Sequence, residues 1–406
     1  MEPRFASRMG ILKASDIREI LKVTQDPGII SFAGGLPAPE LFPASAIAAC
    51  AAEVLATQGT VALQYSPTEG FFGLRQIIAR RMNAIWHTQL KPEEILVTTG
   101  SQQGLDLTGK LFLDEGDVVL CESPTYLGAI MAFNVFKPRW VEIPTDDEGM
   151  DPEALEDALR THERIKLIYT VPNFQNPTGR TWSDKRRERL SQLAAKYEVP
   201  VIEDNPYGEV CFEGDLPRAI QAMDSRGLVI CLGTFSKIFC PGLRLGWVAA
   251  HRRYLDKYVI LKQAGDLHTS TVDQMIAASY METHDLEKDI QHKREVYRNR
   301  RDAMLSALET EMPPGVSFTR PKGGLFLWVE LPASLDARRL LARSLEQHVA
   351  FVPGEAFFPT SGRKNTLRLN YSNMPEERII EGVRRLAVAV RKELEVDRTT
   401  KEPVGV

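Results

Sequence analysis

Short apolar runs recur along the chain, each closed by Gly, Pro, Asn or Asp: "EILVTTG" (94–100), "DVVLCESPTY" (117–126), "IKLIYTVPN" (165–173), "VPVIEDNPY" (199–207) and "LVICLGTFSK" (228–237). Their apolar residues are consecutive rather than alternating, the pattern of strands covered on both faces. Between them lie amphipathic stretches such as "DKRRERLSQLAAKYE" (184–198). This alternation predicts an α/β fold with a mainly parallel sheet between helices. Ligands of such sheets sit beyond the carboxyl ends of the strands, so the polar residues closing these runs are where chemistry is expected.

After about residue 280 the pattern changes to a long charged helix, "EKDIQHKREVYRNRRDAMLSALETEM", followed by "FTRPKGGLFLWVEL" and "VAFVPGEAFF". Helices on an antiparallel sheet, with "GG" and "PG" as turns, are expected there. The expected division is an N-terminal arm and part of a small domain (1–40), a large domain (41–285) and a small C-terminal domain (286–406). The chain has 406 residues, enough for two domains at roughly 150 residues each.

Composition narrows the function. A formal charge of -4, with 26% charged residues, offers no polycationic face for nucleic acid, so a small-molecule partner is expected. Five cysteines without a CxxC pair argue for reduced thiols and a cytoplasmic location. The N-terminal residues contain no continuous apolar segment of signal-peptide type, and no run of about 18 apolar residues predicts a membrane span. The seven histidines lack metal-ligand spacing, and no metal is expected. No GxGxxG follows a strand, which disfavours a nicotinamide enzyme.

The strand ends carry a particular set of groups. "TTGSQQG" opens a helix at Ser101, Gln102 and Gln103 after a strand and a glycine, so free backbone N–H groups would face an anion such as phosphate. Tyr126 follows "ESPT", Asn176 lies in "PNFQNPTG", Asp204 and Tyr207 close "VIEDNPY", and Lys237 follows "GTFS". Arg244, Thr234 and Ser236 are spaced to bind one anion together. Singly, each is a cap, a turn residue or a solvated charge.

Together they suit one cofactor, pyridoxal 5'-phosphate. It needs a lysine amine to condense with its aldehyde, and a partly desolvated Lys237 among other cations supplies one. It needs a carboxylate at the pyridine nitrogen, for which Asp204 is the candidate. Asn176 and Tyr207 fit its ring hydroxyl, Tyr126 its ring face, and the Ser101–Gln103 turn with Thr234, Ser236 and Arg244 its phosphate.

The motifs "YSPTEG", "TTGSQQG", "NPTG", "EDNPYG", "SK" before "PGLRLGW", and "LRLNYS" resemble, in the right order, the class I/II pyridoxal-phosphate aminotransferases of fold type I. "ASDIREILKVTQDPGIISFAGGLPAPELFP" further resembles the 2-aminoadipate and kynurenine aminotransferase branch. The resemblance implies a large domain with a mainly parallel seven-stranded sheet, a smaller α+β domain, and a homodimer whose active site is shared. It implies that Tyr65 reaches the neighbouring subunit's phosphate. It also implies that Arg368, with the Gly34–Gly35 backbone and Asn176, grips the substrate α-carboxylate. Arg18 matches a position that pairs with an acidic side chain, though a solvated helix arginine reads equally well. The implied substrates are amino acids such as 2-aminoadipate or glutamate, with aromatic or aliphatic donors as further candidates, and 2-oxo acids such as 2-oxoglutarate. A C–S lyase or decarboxylase on the same scaffold remains an alternative, since cofactor residues do not choose which bond breaks. A non-catalytic sensor is the other, but no basic helix-turn-helix pattern precedes the core.

Overall fold

The structure is a computed structural model that describes residues 4–10 and 26–401. After a short strand β1 (Ile30–Ser31), eight strands follow in chain order: β2 (Ile95–Thr99), β3 (Val118–Ser123), β4 (Arg139–Asp146), β5 (Gly149–Met150), β6 (Ile165–Thr170), β7 (Val201–Asp204), β8 (Val229–Thr234) and β9 (Leu245–Ala249). They form one sheet in the order β2-β9-β8-β7-β6-β3-β4-β5. β4, β3, β6, β7 and β8 are parallel, while β9 runs antiparallel between β8 and β2. Seven strands were expected and there are eight. The chain turns back after Asp146, with Gly149 at φ 123°, and adds the two-residue β5 to the edge of β4. So short a strand leaves no apolar run in the sequence.

Helices cover both faces, as the uninterrupted burial of β2, β3, β7 and β8 requires. Helix Asp184–Tyr197 turns Leu190, Leu193 and Ala194 inward, and Ser183 caps it by accepting from the Arg186 backbone N–H. Helix Pro152–Thr161 is capped by Asp151, which accepts from Glu153 N at 2.8 Å and Ala154 N at 3.0 Å. Helix Ala44–Ala62 differs: it is 19 residues long and apolar enough to cross a membrane by length and composition, with Leu55 and Val61 exposed.

Beyond residue 285 come the long helix Leu286–Glu311 and β10 (Ser317–Phe318), β11 (Phe326–Glu330), β12 (Val349–Ala350), β13 (Val352–Pro353) and β14 (Thr366–Asn370). The second sheet, β10-β11-β14-β13, is antiparallel, and helix Glu376–Lys401 packs on Leu286–Glu311. β1 pairs in parallel with β12, and Asn370 N donates to Phe32 O at 2.9 Å. The N-terminal segment is thereby held against this unit, which carries Ala33–Gly35 to the edge of the large sheet.

Candidate active site

Five parallel strands deliver their closing residues to one edge of the large sheet. β2 shares their direction because two antiparallel pairings separate it from β8, so the Gly100–Ser101 turn arrives at the same edge. β9 runs the other way, and its first residue follows Arg244. The reversal explains how an arginine that precedes a strand joins residues that follow strands.

Lys237 stands after β8 and is half-buried, while its neighbours Phe235, Ile238 and Phe239 are buried. Its Nζ donates to the Gly35 carbonyl at 2.8 Å. Burial first, then the nearby Arg368 and Arg244, pull its pKa down to about 8. An appreciable fraction is therefore a neutral, nucleophilic amine near neutral pH.

Asp204 closes β7 and is buried. The Tyr169 hydroxyl donates to its Oδ2 at 2.7 Å, whereas Oδ1 has no hydrogen-bond partner among the described residues. Burial pushes the carboxyl up to about 7, and the Tyr169 bond opposes that rise. A buried acceptor without a donor costs about 1–3 kcal/mol, and a protonated ring nitrogen would satisfy it. The orphaned Oδ1 fits the proposed cofactor.

Asn176 links two more groups. Its Nδ2 donates to the Tyr207 hydroxyl at 3.3 Å, and its Oδ1 accepts from Arg368 Nη1 at 2.8 Å. The loop that carries it is pinned to β3: Gln175 donates to the Pro124 carbonyl at 3.0 Å, and Val171 N and Trp182 Nε1 both donate to Glu122 at 2.8 Å. Arg368, on β14, also donates to the Ala33 carbonyl at 2.5 Å. Its guanidinium lies 4.2 Å from the Phe326 ring centre and 5.2 Å from that of Phe357. Burial lowers its pKa to about 10 against the pull of Tyr207 and Tyr126. Burial likewise raises the Tyr207 phenol, and it lifts that of Tyr126 to about 12.

The candidate anion seat is built on close backbone approach. Gly100 has φ 73°, and a Cβ there would collide with the Arg244 guanidinium. A Cβ on Gly246 would stand 2.6 Å from Gly100 C and Ser101 N. Thr234 Oγ1 lies 2.9 Å from Ser236 Oγ and accepts from Ser236 N at 3.1 Å. Helix Ser101–Phe112 starts without a side-chain cap among the described residues, which leaves its first N–H groups for a ligand. The two glutamine side chains turn elsewhere. Gln102 donates to the Gly128 carbonyl at 3.1 Å, and Gln103 joins a polar network with Asp266 and Lys262. The main chain of this turn and the Ser101 side chain are what it offers to an anion.

Gly34 is buried and Gly35 half-buried, both directly after the Ala33 carbonyl that holds Arg368. Tyr65 lies outside the cluster, 78% exposed, with its ring edge-on to His268 at 5.8 Å. Arg18 lies outside the described residues. Sequence reasoning missed Tyr169, Phe326, Phe357 and the Ala33 carbonyl. A tyrosine inside the apolar run "KLIYTV" was the one available signal, since a buried phenol needs a partner.

The model of the aminotransferase class I and II family matches residues 35–386. The chain is 46% identical over 397 residues to aromatic-amino-acid aminotransferase 1 of Thermococcus litoralis, covering 97% of this chain and 95% of the relative. It is similar to the crystal structure of Pyrococcus horikoshii kynurenine aminotransferase in complex with PMP: TM-score 0.92, 43% identity, covering 96% of this chain and 97% of that one. The alpha-aminoadipate aminotransferase of Thermus thermophilus, complexed with N-(5'-phosphopyridoxyl)-L-leucine, gives a TM-score of 0.90 at 46% identity, covering 97% of this chain and 98% of that one.

Proposed function

This chain belongs to the class I and II aminotransferases, and we propose on that premise that it moves the amino group of 2-aminoadipate, glutamate and aromatic or aliphatic amino acids to a 2-oxo acid such as 2-oxoglutarate. It is a pyridoxal-phosphate-dependent transaminase of fold type I. The substrate range is supported by relatives that act on aromatic amino acids, kynurenine and aminoadipate. The convergence of Lys237, Asp204 and Arg244 at one sheet edge carries the assignment of residues.

When bound, pyridoxal phosphate supplies an aldehyde that condenses with amines and a ring that accepts the electrons freed when a substrate C–H bond breaks. Asp204 Oδ1 would keep the ring nitrogen protonated. Asn176 and Tyr207 would bind the ring hydroxyl, and Tyr126 would pack against the ring face. The Ser101–Gln103 main chain, Thr234, Ser236 and Arg244 would hold the phosphate. Lys237 Nζ, with its pKa lowered to about 8, can accept a proton from the substrate α-carbon and return one. Arg368, kept in place by Asn176 and the Ala33 carbonyl, would bind the α-carboxylate beside the Gly34–Gly35 backbone. Arg18 would meet an acidic substrate side chain. Donor and acceptor then use one pocket in turn, a ping-pong cycle.

The working unit is a homodimer. Support comes from the exposed apolar helix Ala44–Ala62 and from Leu63, Tyr65 and Phe72 just beyond it, which a second copy would cover. Tyr65 would then reach the neighbour's phosphate. The large and small domains divide near residue 285, where helices Thr271–Thr283 and Leu286–Glu311 are interrupted. Five free thiols agree with the cytoplasm.

A half-reaction screen tests this. Cofactor-loaded protein is mixed with each amino acid in the absence of an oxo acid, and the visible band of lysine-bound cofactor is followed. Loss of the band with 2-aminoadipate, glutamate or an aromatic donor, its return on adding 2-oxoglutarate, and no band in Lys237→Ala are expected. Continuous turnover of an amino acid without any oxo acid would mean lyase or decarboxylase chemistry instead.

A further inference from the structure

Lys262 is a buried cation that the proposed chemistry does not use. It sits on helix Arg252–Gly265 with its side chain wholly buried, 0% exposed. Its Nζ lies 2.8 Å from Gln103 Oε1, 2.9 and 3.0 Å from the two Asp266 carboxylate oxygens, and 3.0 Å from Thr269 Oγ1. Gln103 completes the ring: its Nε2 donates to Asp266 Oδ2 at 2.7 Å, and its Oε1 also accepts from Thr99 N at 2.8 Å. Thr99 Oγ1 reaches Asp266 Oδ2 at 3.2 Å and Thr269 Oγ1 at 3.2 Å. One ammonium thus ties the last residue of β2, the first turn of helix Ser101–Phe112 and the segment after helix Arg252–Gly265 into a single cluster.

We propose that Lys262 and Asp266 are positioning residues for cofactor phosphate, holding the Gly100–Ser101 turn rigid so that its N–H groups face the cleft before the anion arrives. The inference rests on reading that turn as the phosphate seat. Gly100, at φ 73°, is a point where the backbone bends readily, and it lies between the two residues the cluster grips, Thr99 and Gln103. Lys262 and Asp266 neutralise each other, so the pair acts through geometry rather than added positive charge. A donor group fixed in advance binds its anion without paying the ordering entropy on binding.

The test compares two aldehydes that differ only in the phosphate. Apoprotein is titrated with pyridoxal phosphate and with pyridoxal, and the visible band of the Lys237-bound aldehyde is read. Lys262→Met and Gln103→Met are each expected to weaken pyridoxal phosphate by about tenfold or more, the scale seen when residues that orient a metal's ligands are lost. Pyridoxal should bind as in wild type. Gln103→Met retains the Lys262–Asp266 pair, so it decides the question if Lys262→Met fails to fold. An unchanged ratio of the two affinities, or equal loss for both aldehydes, overturns the inference while leaving the aminotransferase reading intact. A wild-type protein that forms no band with either aldehyde sinks that reading itself.

Discussion

Replacing Tyr169 with phenylalanine removes one oxygen from a fully buried ring and with it the 2.7 Å hydrogen bond to Asp204 Oδ2. Because Oδ1 has no partner among the described residues, the variant carboxyl is left bare on both sides. A hydrogen bond to an ionised group is worth about 1.5–3 kcal/mol, and one to a neutral acid about 0.5–1.5 kcal/mol. The difference, roughly 1.4 kcal/mol, corresponds to about one pH unit. Asp204 in the cofactor-free protein, held up to about 7 by burial, should therefore titrate about one unit higher in Tyr169→Phe. Its folded pKa lies above the ordinary carboxylate value of 3.8, so between those values the folded chain keeps a proton that the unfolded chain has released. The stability this contributes is whole below the unfolded pKa and is lost as pH rises through about 7, a total of roughly 4 kcal/mol. In the variant that loss runs on to higher pH. Urea unfolding of cofactor-free protein at fixed concentration should show a penalty of about 1 kcal/mol at pH 5 that grows to about 2.5 kcal/mol at pH 9. In an Asp204→Asn background the growth should vanish, as a double-mutant cycle requires. A penalty that stays constant from pH 5 to 9 would refute the coupling.

Two further outcomes follow from the site. Gly100→Ala puts a methyl group into the Arg244 guanidinium at a φ of 73°, so affinity for pyridoxal phosphate should fall by at least about tenfold in equilibrium titration; wild-type affinity would show that Arg244 does not clamp the phosphate. Arg368→Lys keeps the charge but loses the planar fork held by Asn176 and Ala33, so KM for every amino donor should rise by about 100-fold while cofactor affinity stays unchanged. Initial-rate kinetics with two unlike donors checks this, and an unaltered KM would remove Arg368 from the α-carboxylate site.

Much of this site could be read from residue order because its groups end strands. Asp204, Tyr207, Asn176 and Lys237 each follow an apolar run, and parallel strands put such positions on one edge. Arg244 was legible only as a spacing; the antiparallel course of β9 is what brings it back. Tyr169 was hidden inside a strand, since its partner belongs to β7 and strand adjacency is a non-local property. The aromatic walls of Arg368 were hidden for a similar reason: Phe326 pairs across from Asn370, and Phe357 arrives from a separate turn. Lys262 and Asp266 belong to none of the sequence motifs; only the folded chain brings the buried Lys262 ammonium, paired with Asp266, to Gln103 and Thr269.

By itself the order of residues determined the fold class and the cofactor chemistry and nominated candidate groups for the site, because apolar periodicity and turn residues are local signals. The tertiary structure alone decided the strand order, the partners that hold Asp204 and Arg368 in place, and the Lys262 cluster around Thr99 and Gln103. Each of those depends on which distant segments exclude water from one another, and no local pattern of residues encodes that choice.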